Sequence, residues 1–195
     1  MAQVNLNQKE IHFKIVYYGP GGSGKTTNLN IIHQKTPNEN REDLVSLSNE
    51  GDRTLFFNFM PLDLGQVRGV KVKFGIYTVP GQAYYNSTRK LVLQGVDGII
   101  FVADSQNKKL DENLQAVKNL KENLAEYGVK IDTIPMVFQY NKRDLPDIMP
   151  VEEINKKLNL WKRPYGEATA IKGTGVLPTF KSLATLIVEE FRKIS

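Results

Sequence analysis

The chain has 195 residues, a formal net charge of +5 and no cysteine. That length suits one globular domain rather than several, with roughly 70% of the unfolded surface buried on folding. The missing cysteines exclude a disulfide framework, a thiolate metal centre and a cysteine nucleophile, and the scattered basic residues, without any nucleic-acid-binding motif, read as a solvated surface plus a few cations for phosphates.

In chain order, Ile11 to Tyr18 reads as a strand that ends on a glycine-rich turn, and Lys25 to Gln34 as the helix after it. Thr36 to Arg53 is polar and turn-rich, a length without regular structure that is usually functional. Leu55 to Leu62 and Val70 to Val79 read as paired strands around a turn at Asp63 to Gly69. Val96 to Ala103 and Ile134 to Tyr140 are nearly continuous apolar runs, as expected of central strands covered on both faces. Between them, Leu110, Leu114, Val117, Leu120, Leu124 and Tyr127 fall at helical spacing, and Phe180, Leu183, Ile187, Phe191 and Ile194 repeat the pattern at the end. Another short strand is expected near Tyr165. Alternation of this kind predicts an α/β fold: a three-layer sandwich with a mostly parallel, six-stranded sheet and helices on both faces, residues 1–195 forming a single domain. Ligands of such folds bind at the carboxyl ends of the strands.

Gly19-Pro20-Gly21-Gly22-Ser23-Gly24-Lys25-Thr26 matches G-x-x-x-x-G-K-[ST] between a strand and a helix, the context a phosphate loop requires. Its glycines let backbone N–H groups turn inward around a β-phosphate, and the helix start adds its positive dipole end. Lys25 can bridge the β- and γ-phosphates, and the Thr26 hydroxyl can ligate Mg²⁺, with the remaining positions filled by phosphate oxygens and water. Thr27 belongs to the same nucleotide-binding stretch.

Asn141-Lys142-Arg143-Asp144 follows an apolar strand well downstream of that loop. Guanine presents N1–H and N2–H₂ donors where adenine does not, so a carboxylate at Asp144 buried against the base selects GTP over ATP. Asn141 can bond the other edge of the base or brace the phosphate loop, and the Lys142 stem can lie along the ring plane. Glu167-Ala168-Thr169-Ala170 is a candidate third loop, in which N–H groups around Ala170 would meet the guanine oxygen while Thr169 steadies the turn.

These motifs, together with Gly81-Gln82, resemble those of the Ras superfamily in order and spacing over nearly the whole chain, which implies a P-loop NTPase of Ras-like fold. Within it, Tyr17-Tyr18-Gly19-Pro20-Gly21, Arg53-Thr54-Leu55-Phe56-Phe57 and Thr78-Val79-Pro80-Gly81-Gln82 are similar to the bacterial gliding-motility GTPases, the MglA family. By that resemblance Thr54 closes on Mg²⁺ and the γ-phosphate, Gly81 gives its N–H to the γ-phosphate, and Gln82 orients the attacking water. Gly21 and Gly22 leave room for that glutamine. Arg53 is a candidate arginine finger within the chain, the alternative being a solvated loop cation. Most Ras-like proteins have aspartate where Thr78 stands. A neutral hydroxyl supports a hard cation less well, so weak metal affinity is expected in the GDP state, with Asp52 or waters compensating.

The resemblance implies a GTPase switch with slow intrinsic hydrolysis, a GTPase-activating partner, downstream effectors and a role in cell polarity and gliding motility. A nucleotide-gated adaptor with little hydrolysis is the alternative. A nucleotide kinase would need an arginine-bearing lid and would not need Asp144. Phe56, Phe57, Phe59 and Met60, with Tyr84 and Tyr85, offer either a partner surface beside the switch or a strand buried on both faces. With Ala2 in place of the glycine that myristoylation needs, no prenylatable cysteine and no apolar run of bilayer length, a cytoplasmic protein is expected, one that reaches a membrane or cell pole only through a partner.

Overall fold

The structure, a computed structural model, describes residues 3–5, 9–41, 43, 45–47, 57–67, 69–81 and 85–194. Asp52, Arg53, Thr54, Phe56, Gln82 and Tyr84 lie outside these residues, as do the side chains of Phe57, Phe59 and Met60.

Side-chain alternation along the first long strand sets the layers. In β2 (Glu10–Tyr18), Ile11, Phe13, Ile15 and Tyr17 face one core, whereas Val16 and Tyr18 face another. The first core is closed by α1 (Lys25–Lys35) and α5 (Val176–Ile194), through Leu29, Ile32, Phe180, Leu183 and Ile187. The second is closed by α2 (Asn86–Leu93), α3 (Leu110–Glu126) and α4 (Val151–Leu158), through Val92, Leu93, Leu120, Leu124, Ile154 and Leu158. Helices thus cover both faces, as the alternating pattern predicted.

The remaining strands are β1 (Gln3–Asn5), β3 (Val45–Leu47), β4 (Phe57–Val67), β5 (Val70–Thr78), β6 (Gly98–Asp104), β7 (Met136–Asn141) and β8 (Tyr165–Glu167). Their order across the sheet is β3-β4-β5-β2-β6-β7-β8. β5, β2, β6, β7 and β8 pair in parallel, with β4 antiparallel to β5 and β3 antiparallel to β4. Every residue of β6 and β7 is buried, which is why both read as nearly continuous apolar runs. The phosphate loop leaves the end of β2, in the middle of this parallel set.

The expected six strands are joined by two three-residue ones, β1 and β3. β1 pairs antiparallel with the first residues of β2, Glu10 to His12, while β6 takes β2 only from Ile15 onward. The turn expected at Asp63 to Gly69 is shorter, because β4 runs on to Val67 by way of a register shift between Asp63 and Gln66. Asp63, a turn former by type, instead pairs with Lys71 of the facing strand at 2.9 Å.

The buried face of α3 is also rotated from the apolar stripe. Leu114 and Tyr127 are 40% and 41% exposed, while Asn113 and Asn123 are buried beside Val117, Leu120 and Leu124. Two asparagines therefore stand where a purely hydrophobic reading puts leucine and tyrosine, and both are hydrogen-bonded there.

Candidate functional site

Three loops meet at the carboxyl ends of β2, β7 and β8. The first is the phosphate loop. Helix α1 begins after Gly24 with no side-chain cap and no acidic residue in its first turn, so its leading N–H groups have no anionic side chain of their own and suit an external anion. Gly24 sits at φ 102°, in the left-handed region, and a Cβ there would run into the Asn141 amide. Both constraints demand glycine. Lys25 is buried, and its ammonium donates to the Gly19 and Pro20 carbonyl oxygens at 2.9 and 2.7 Å. Burial, with the Arg89 charge as a lesser cause, pulls its pKa down to about 7. Ser23 is buried, Thr26 is exposed and Thr27 half-buried on the first turn.

The second loop is tied to the first by one side chain. Asn141 Nδ2 donates to the Ser23 carbonyl at 2.8 Å, and Asn141 Oδ1 accepts the Ala170 N–H at 2.9 Å. Of the two uses open to Asn141 in the sequence, the structure has the loop brace. The second of these bonds occupies the Ala170 N–H that was expected to face the base, joining the last residue of β7 to the loop that follows β8. Thr169 is buried and its backbone N–H bonds the Thr174 carbonyl, closing the third loop.

Lys142 has φ 65°, unusual for a residue with a side chain. It is held there by a 2.6 Å ion pair to Asp104, which is 1% exposed. Gln106 donates to both Asp104 oxygens from its side chain and to one from its backbone. Arg143 pairs with Glu167 at 2.9 Å and donates to the Met149 carbonyl, fastening the second loop to the third. Asp144 is exposed at the outer end of this braced turn.

Gly81 reaches the phosphate loop from the other side. A Cβ on it would collide with the Pro20–Gly21 backbone, so these two segments touch through main chain alone. Thr78 is buried at the end of β5 and Tyr85 is half-buried. Arg53, Thr54 and Gln82 lie outside the described residues.

Sequence reasoning missed Asp104 and Arg89. Asp104 was legible as a carboxylate ending the apolar run Gly98–Ala103, a poor place for an unpaired charge. Arg89 is a buried cation on α2 whose charge acts on both Lys25 and Tyr18; nothing in its local sequence marks it. Asp104→Ala should destabilise the chain by ~1–3 kcal/mol, the cost of stranding the groups it pairs, measured by chemical denaturation of the nucleotide-free protein.

Among the described residues no group of three or more His, Asp or Glu could hold a metal ion. The Thr26 hydroxyl on the first turn of α1 is a ligand of the kind that fits Mg²⁺, an ion that takes one or two protein oxygens and completes its shell with phosphate and water.

A model of the ADP-ribosylation factor family matches residues 1–186. The chain belongs to this family of Ras-superfamily GTPases. It is also 52% identical over 193 residues, 99% of each chain, to "Mutual gliding-motility protein MglA" from Myxococcus xanthus (strain DK1622). The GTPase binds GTP and GDP, hydrolyses GTP to GDP and phosphate, and has the α/β architecture of its family. No helix among its described residues is long and apolar enough to cross a membrane.

Proposed function

We propose that this GTPase is a nucleotide switch for cell polarity and gliding motility, acting as one GTP-binding unit that a partner protein stimulates. The observation that carries the nucleotide site is Asn141, whose one amide ties the phosphate loop to the third loop and holds Asp144's turn between them. The relative's printed name supports the motility role.

In this reading Gly19, Gly21, Gly22, Ser23, Gly24 and Thr27 wrap the phosphates with main-chain amides and Lys25 moves its charge from the loop carbonyls to the β/γ-phosphates. Asp144 accepts the guanine donors, a base seated over it covers the exposed carboxylate, and the Lys142 stem lines the ring. Thr169 and Ala170 close the far side. The Thr26 and Thr54 hydroxyls would hold Mg²⁺, which would supply neutralisation of the phosphate charge. Gln82 orients the attacking water, Gly81 donates its N–H to the γ-phosphate, and Arg53 offsets the charge that builds on the transferring group.

With Arg53 as the candidate for completing the charge stabilisation, intrinsic turnover is slow, and a partner that fixes Gln82 and Arg53 accelerates it by roughly 10³–10⁵. Effectors bind while GTP holds the segments around Thr54 and Gln82 together, and a partner brings the cytoplasmic protein to a cell pole.

Single-turnover GTP hydrolysis by wild type, Gln82→Leu and Arg53→Ala tests the catalytic assignment. Both variants should bind GTP normally and hydrolyse it more slowly. Wild-type rates in both would remove Gln82 and Arg53 from the mechanism.

A further inference from the structure

Where β2, α2 and α3 meet, four polar side chains form a hydrogen-bonded set, with Tyr18 and Asn123 buried and Asn86 and Asn119 half-buried. The Tyr18 hydroxyl donates to Asn119 Oδ1 at 2.5 Å and accepts from Asn123 Nδ2 at 3.2 Å. Asn119 and Asn123, one turn apart on α3, both donate to Asn86 Oδ1 at 2.9 Å, and Asn123 also lies 3.1 Å from Asn119 Oδ1. Burial raises the tyrosine pKa to about 12, so its hydroxyl stays a donor across the working pH range.

The two ends of this set are informative. Tyr18 is the last residue of β2, and the next residue, Gly19, begins the phosphate loop. Asn86 is the first residue of α2, four positions beyond Gln82. Asn86, Gly81, Arg89 and the Pro20–Gly21 backbone together border a cleft of about 680 Å³ between α2, α3 and the phosphate loop.

Helix α2 needs an external support at this end. It has eight residues, too few to be stable alone, its N-cap Tyr85 makes no side-chain cap bond, and no acidic residue stands in its first turn. Its other end is fastened separately, by the 2.6 Å Lys90–Glu126 ion pair and the Tyr127 hydroxyl on the Lys90 carbonyl. An apolar side chain at position 123 would fill the same space without the desolvation cost of a buried amide. Hydrogen bonds from two successive turns converging on one oxygen give direction as well as cohesion, and direction is what a positioning contact requires.

We propose that Asn86, held by Asn119 and Asn123 and through them by Tyr18, is a positioning residue for GTP hydrolysis: it registers the start of α2 on the root of the phosphate loop, and so sets how Gln82 meets the γ-phosphate. This rests on the Gln82 assignment above. The set acts on the rate of the chemical step and leaves nucleotide affinity alone, because the phosphate-wrapping and base-reading roles proposed above fall on other residues.

The test uses the full chain loaded with GTP, with single-turnover hydrolysis and GTP and GDP affinities measured for each variant. Asn86→Leu removes the acceptor and should slow hydrolysis by about tenfold to a hundredfold, the loss that follows when a reacting group is held less well, with affinities unchanged. Asn86→Asp keeps an oxygen for both amide donors and should retain most of the rate. Tyr18→Phe, which deletes one hydroxyl from an otherwise intact core, should slow hydrolysis in the same direction, and its effect should not add to that of Asn86→Leu. A wild-type rate in Asn86→Leu, equal slowing in Asn86→Leu and Asn86→Asp, or an affinity loss as large as the rate loss would overturn the proposal. A wild-type rate that ignores Gln82→Leu would sink the Gln82 assignment instead, and the Asn86→Leu against Asn86→Asp comparison would still decide whether Asn86 positions the reacting centre.

Discussion

With Asp144 replaced by alanine, the GTPase should lose most of its preference for guanine. The wild-type carboxylate offers acceptors only, and guanine N1–H and N2–H₂ supply donors to match. Adenine places an acceptor and a C–H at the same edge, so it gains neither bond and leaves the carboxylate covered and unsatisfied. Two charge-assisted hydrogen bonds at about 1.5–3 kcal/mol each correspond to a ratio of about 10²–10⁴ between the purines. In the free structure Asp144 is exposed; the base must bring the burial with it, which argues for the lower part of that range. Calorimetric titration of GDP and ADP into wild type and Asp144→Ala reads the ratio directly. The variant should weaken GDP and leave ADP unchanged or slightly improved. An unaltered ratio would mean that another group reads the base, and no preference in the wild type would remove the base-reading role of the Asn141–Asp144 turn.

How much of this site could be read in the sequence follows from how local each constraint is. The phosphate loop is legible because eight consecutive residues must satisfy one local geometry, and Gly24 can be nothing larger beside Asn141. The layers are legible because β6 and β7 are buried on both faces and show it as continuous apolar runs. What escaped depends on distant pairings. Asn141 was left with two uses, and only the approach of Ser23 and Ala170 from elsewhere in the chain selects the brace. Asp104 serves Lys142, thirty-eight positions away. The buried face of α3 was misjudged at Leu114 and Tyr127 because hydrophobicity outranks asparagine in any periodic count, whereas Asn123 is satisfied in the core by Tyr18, 105 positions upstream. The helix α2 carries too short and mixed a pattern to declare itself, and α4 is announced only by Pro150 and two glutamates in its first turn.

Nucleotide binding should take up close to one proton at alkaline pH, and Lys25 should be the group that receives it. In the free chain the amine is buried on the Gly19 and Pro20 carbonyls, and desolvation holds its pKa near 7, well below the ordinary lysine value of 10.5. A polyphosphate seated on the loop reverses this, because the opposite charge restores the ammonium form. Below about pH 6 the lysine is charged in both states and no uptake follows; between about pH 8 and 9 the free chain is mostly neutral there and the complex is not. Affinity should therefore fall as pH rises through that window. The sign for folding is the companion result. The native pKa lies below the unfolded one, so the unfolded chain binds more protons between the two values, and the stability of the nucleotide-free protein rises with pH from about 7 toward 10. Lys25→Met keeps the length of the side chain and removes the charge. It should abolish the proton uptake, weaken GDP by about 10²–10⁴ through the loss of two charge-assisted contacts, and leave the nucleotide-free chain at least as stable near neutral pH, since the burial of an amine is relieved. Calorimetry of GDP binding in buffers of differing ionisation enthalpy, together with thermal unfolding of the free chain against pH, measures all three. Proton uptake that persists in Lys25→Met would place the linked group outside the phosphate loop and leave Lys25 charged from the start.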